Sequence, residues 1–183
     1  MDTYKTAGKG LYFLFIGQIL ALLTIIPYLG LIALVAGAVF SLYGLYTLSQ
    51  ADSDYQTAFI LTIVNAAVSV VGNLFFRSGV MHSVMGIVQD IIGFLIVYLI
   101  CTTTGKLLYG ISNALSDRAS LLWKIYLVCT VITVVCSLLS AVPILNILAA
   151  LVSWIVTIVQ LAASILYLIF IWKSQKTLQA YAG

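Results

Sequence analysis

One carboxylate stands among residues that do not welcome it. Asp90 falls within an apolar run extending from Val84 to Ile100, with only Gln89 and Tyr98 as other polar side chains. In hydrocarbon such a group costs about 2.5–3.5 kcal/mol on insertion scales. It must therefore face inward, find a partner or hold a proton. On a helix, His82 and Gly86 precede it on the same face, and Gly93 lies one turn deeper. Arg77 and Asn73 lie at the same end of the run, and Gln89 is adjacent. Asp90, His82, Arg77 and Asn73 form a candidate intramembrane polar site. They can bind a cation or take up a proton near the outer mouth. The alternative is a structural hydrogen bond or an interfacial ion pair, eased by snorkelling.

Other chemistry finds little support in the residues. A second intramembrane aspartate is missing, and His82 is the single histidine, so neither an aspartyl dyad nor an H-E-x-x-H zinc site can be assembled. Ser78 and Ser83 flank His82 in sequence, but sequence proximity is not triad geometry. Gly8-Lys9-Gly10 lacks the strand and the spacing of a phosphate loop. Cys101, Cys129 and Cys136 lie inside apolar segments, where they are expected to pack as small hydrophobes. No catalytic residue, cofactor or metal is expected, and the chain reads as a non-enzyme.

The elements that must position Asp90 follow from composition. The chain has 183 residues, 63% of them hydrophobic and 7% charged, against about 25% charged in an ordinary soluble domain. A crossing needs roughly 20 apolar residues, and six such windows fit, near 10–27, 29–48, 57–76, 83–105, 121–142 and 145–172. The expected fold is an all-α integral membrane protein with six transmembrane helices. Lys5, Lys9, Lys106, Arg118, Lys124, Lys173 and Lys176 would lie on one side and Arg77 alone on the other. By the positive-inside rule both termini are then cytoplasmic. Tyrosines and tryptophans such as Tyr12, Tyr46, Tyr109, Trp123 and Trp172 would form a belt at that interface. The +3 net charge reports this topology, and no basic, aromatic-rich surface for nucleic acid is present.

Tyr4-Lys5-Thr6-Ala7 is echoed by Tyr55-Gln56-Thr57-Ala58, and Ser49 to Asp54 by Ser112 to Asp117. The pattern suggests an internal repeat of three tandem α-hairpins, about 1–51, 52–114 and 115–183, in a single transmembrane domain. Each contains two spans, so successive hairpins would insert the same way up. Small or polar residues recur at helical spacing: Ala33, Gly37 and Ser41; Asn65, Ser69 and Asn73; Thr130, Thr133 and Ser137; Ser153, Gln160 and Ser164; with Gln18 in the first span. Such stripes hold helices together or line a path.

In size and number of spans the chain is similar to the substrate-capture components of bacterial energy-coupling-factor vitamin transporters. Those components carry an alanine-x-x-x-alanine contact in their first helix. Here the first span holds only Ala21, so no binding residues carry over. The function expected from sequence is a non-enzymatic accessory, scaffold or lipid-organising component of a bacterial plasma membrane. A small-solute carrier or substrate-binding transporter subunit is the alternative. The expected partners are the lipid bilayer, other membrane proteins or a second copy, and not nucleic acid.

Overall fold

A computed structural model of the chain describes residues 2–25, 30–75, 80–139 and 146–182. Among these the secondary structure is helical. α1 covers Asp2–Leu22 and continues as a 3-10 turn, Leu23–Ile25; α2 covers Gly30–Ser49, α3 Ser53–Phe75, α4 Val80–Leu108, α5 Asn113–Leu139 and α6 Asn146–Ala182. Five of the six helices, α2 to α6, are long and apolar enough to cross a membrane. Continuous apolar runs adopt helix because each backbone donor and acceptor is then satisfied within the segment.

α1 departs from the expected first span. It begins at Asp2, so Lys5 and Lys9 lie within the helix, and residues 10–22 supply only about 20 Å of apolar rise. The 3-10 turn adds about 6 Å. The remainder of the expected span, residues 26 and 27, lies outside the described residues. α4 begins at Val80, three residues before the expected start of its span, so Asp90 lies nearly three turns along the helix.

Local chemistry sets the helix ends. The Asp54 N–H donates to Asp52 Oδ1 at 2.8 Å, an N-cap for α3. α4 terminates before Gly110, whose φ of 85° favours glycine. The Gly110 N–H donates to Asn113 Oδ1 at 3.1 Å. Tyr4 and Tyr55 are each the third residue of their helix, and Ala7 and Ala58 below them are both fully buried. The second pair of similar segments is placed differently: Ser49 to Asp54 spans the α2–α3 turn, whereas Asn113 to Asp117 already lies within α5.

Each helix packs against its neighbours in the chain, and α6 returns to pack on α1, closing a ring. The α1 and α6 ends meet, with the Tyr4 and Tyr181 rings 5.3 Å apart. Both termini are therefore at one end of the bundle. The α1–α2 contact is the tightest because glycines spaced by seven face one another. A Cβ at Gly17 would lie 2.8 Å from the Gly37 carbonyl oxygen, and one at Gly44 would lie 2.6 Å from the Leu14 nitrogen. Removing side chains there lets the two backbones approach.

The densest core fills the half of the ring nearest the termini. Leu11, Leu48, Tyr55, Leu108, Ile171 and Leu178 are all fully buried there. Tyr55 Oη and Thr104 Oγ1 share a hydrogen bond of 2.7 Å inside it. At the rim Lys106 Nζ pairs with Asp54 Oδ2 at 2.8 Å, so α3 and α4 are clasped at this end. Cys101, Cys129 and Cys136 are free thiols, and all three are buried.

Candidate functional site: a central polar cavity

The ring lines an open cavity of about 400 Å³ to which all six helices contribute. Its floor is the inner edge of the core: Leu14, Leu45, Ile100 and Tyr167 belong to both. Above the floor the wall becomes polar. α1 contributes Gln18, α2 Ser41, α3 Thr62, α5 Tyr126 and Thr130, and α6 Gln160 and Ser164. α4 contributes most, with Gln89 and Asp90 followed one turn on by Gly93 and Phe94. Helical periodicity accounts for this, since positions 89, 93, 97 and 100 follow one face and 90, 94 and 97 lie beside it.

The α5–α6 side of the wall is held by its own hydrogen bonds. Tyr126 Oη donates to Ser164 Oγ at 3.2 Å, and Ser164 Oγ donates to the Gln160 carbonyl at 2.9 Å. Gln160 Nε2 reaches Thr133 Oγ1 at 3.3 Å, a long contact, and Thr133 Oγ1 donates to the Cys129 carbonyl at 2.9 Å. These groups are oriented before any guest arrives.

Asp90 differs. Its side chain stays accessible, and among the described residues none forms a hydrogen bond or ion pair with it. The wall beside it is recessed at Gly93, which lines the cavity and where a Cβ would meet nothing within 4 Å. A carboxylate in a cavity with amides, hydroxyls and aromatic faces is suited to a positively charged guest. Among the described residues no three His, Cys, Asp or Glu side chains gather closely enough to hold a metal ion.

Of the residues expected around Asp90, Gln89 shares its cavity wall. Arg77 lies outside the described residues, as do the side chains of His82 and Asn73. The stripes expected from sequence divide. Gln18, Ser41, Thr130, Gln160 and Ser164 reach the cavity, whereas Ser153 is exposed on the outside of α6. On α3 the residue at the cavity is Thr62. Asn65, one turn on, has a buried Oδ1 with no hydrogen-bond partner among the described residues.

Sequence reading missed Thr62, Phe94 and Tyr126 as cavity residues, whereas Gly93, expected one turn beyond Asp90, does line the cavity. A signal for Thr62 was present: Tyr55, Ala58 and Thr62 follow one another at i, i+3 and i+7, and the first two are fully buried. Comparison with family models, with curated proteins and with solved structures finds no match to this chain.

Proposed function

We propose that this chain is a multi-pass integral membrane protein with both termini in the cytoplasm, and that its central cavity holds a small organic cation. The plasma membrane is the membrane in this reading. The observation that carries it is Asp90: a carboxylate on the wall of a cavity to which six helices contribute, with no counter-charge among the described residues. An ammonium group would neutralise it. Gln18, Gln89 and Gln160 would take up the guest's polar groups, and Phe94, Tyr126 and Tyr167 its apolar body.

The membrane part of the reading rests on composition and on the outward faces of the helices. Leu31, Ile32 and Val39 of α2 and Trp154, Ile155 and Ile158 of α6 are all more than half exposed. Such faces suit lipid. The cytoplasmic placement of the termini rests on the lysine and arginine bias. With the floor packed at that end, solute would enter from the opposite one.

An accessory or scaffold role needs outward helix faces only. A recessed polar cavity floored by a packed core has no use in it, and this tips the balance towards solute capture. Native mass spectrometry of the protein extracted in nanodiscs from its host tests the proposal. A stoichiometric small-molecule adduct on the wild type that is lost in Asp90→Asn supports solute capture. A bare chain, or a co-purifying protein with no small adduct, supports the accessory role instead.

A further inference from the structure

The end of the bundle that carries both termini is basic, and its charges are unevenly spread. On one flank, Arg118 from the second turn of α5 and Lys173 and Lys176 of α6 border one depression of about 340 Å³, with Thr177 beside them. Lys173 and Lys176 are three residues apart and so share a face of their helix. Three like charges around one hollow repel one another unless an anion lies between them. Among the described residues the ion pair is Lys106 with Asp54, on α3 and α4, and no carboxylate pairs with any of these three. Lys176 additionally lies 4.3 Å over the Trp172 ring.

The flank below the hollow is apolar and faces outward. From Lys173, Ile169 and Ile165 follow at i−4 and i−8 on α6, and from Arg118, Leu121 and Val128 follow at i+3 and i+10 on α5. All four are exposed. A cationic hollow above outward apolar side chains matches a phosphate headgroup with acyl chains beneath it. A free phosphate compound would use the hollow and leave the apolar flank uncovered.

We propose that the basic hollow between α5 and α6, with the exposed apolar flank below it, is a binding site for an anionic phospholipid. Its phosphate lies among Arg118, Lys173 and Lys176, the Thr177 hydroxyl donates to it, and its chains lie along Leu121, Val128, Ile165 and Ile169. This rests on the membrane reading and is independent of what the central cavity holds. A bilayer-inserted chain without solute would retain the lipid all the same.

Native mass spectrometry in detergent tests it, with added phosphatidylglycerol, phosphatidylcholine or glycerol phosphate. The wild type is expected to retain one phosphatidylglycerol in preference to phosphatidylcholine and to bind glycerol phosphate far more weakly. At roughly fivefold per charge, Arg118→Gln/Lys173→Gln weakens phosphatidylglycerol retention roughly 30-fold. Lys5→Gln/Lys9→Gln, an equal charge change at a separate depression bordered by Gln179, changes it by less than about twofold on the same scale. Equal weakening by the two double variants would overturn the site. Glycerol phosphate binding as tightly as the lipid would overturn the lipid as occupant. The wild-type preference needs no variant, so a poorly folding substitution leaves the test intact. Equal retention of the two lipids by the wild type overturns the proposal outright.

Discussion

Gly44→Ala is expected to loosen the bundle at its tightest seam. The added Cβ would lie 2.6 Å from the Leu14 nitrogen, 2.9 Å from the Gly10 carbonyl oxygen and 3.1 Å from Leu14 Cα. All three are backbone atoms, so no side chain can swing aside. The closest approach is about 0.8 Å short of the 3.4 Å at which ordinary contact begins, and α1 and α2 must separate by about that much. Overpacking of this kind costs about 1–3 kcal/mol. Alanine's helix propensity, worth about 1 kcal/mol over glycine in water, offsets little of it, since a span in lipid stays helical in either state. At roughly 2–4 °C per kcal/mol for a chain of this length, the melting temperature falls by roughly 2–12 °C. The assay is a thermal melt of purified protein in one detergent, with Gly86→Ala as the control, because its Cβ meets nothing within 4 Å. The control should melt with the wild type. If Gly44→Ala and Gly86→Ala melt together, the glycine-packed contact between α1 and α2 is wrong.

Three further outcomes follow from groups at the end of the bundle near the termini. Ser174 is fully buried and its Oγ has no hydrogen-bond partner among the described residues, so Ser174→Ala should raise stability by about 1 kcal/mol. A melting temperature lowered by several degrees would contradict that account. Tyr55→Phe strands the buried Thr104 hydroxyl and should cost about 1–3 kcal/mol. Lys106→Gln removes a largely exposed ion pair and should cost less than about 1 kcal/mol, the difference fading as salt rises. Melts of both variants at low and high salt check this pair, and a larger loss from Lys106→Gln than from Tyr55→Phe would reverse the assignment of the clasp.

Much of the architecture is legible in the sequence because helix length and apolar composition are local properties. The runs that became α2 to α6 are continuous, and lipid-compatible helix is their simplest outcome. α1 was harder to delimit, since Lys5 and Lys9 precede its apolar run yet belong to the same helix. Asp90 stood out on cost alone, Gln18 as the strongly polar residue of its span, and polar residues such as Ser41 and Gln160 on periodicity. Their convergence on one cavity was not legible, because ring closure by α6 on α1 is a long-range contact that no window of sequence contains. Of the four glycines at the α1–α2 seam, Gly37 alone stood in an expected small-residue stripe, and nothing local to it said which helix it would meet. Gly93 carries no polar group, so nothing in its type marked it as the recess beside Asp90.

Whether a solute binds in the cavity beside Asp90 is tested most directly at Gly93. Gly93→Leu leaves the carboxylate intact and projects a side chain from a position with no atom within 4 Å of its first carbon. The added side chain extends into the cavity that Gly93 lines. Native mass spectrometry of this variant, extracted from its host in nanodiscs beside the wild type, should show loss of the small-molecule adduct, with a separate thermal melt in detergent to show that the variant is folded. An adduct that persists at full stoichiometry on Gly93→Leu would contradict the claim that the cavity binds it.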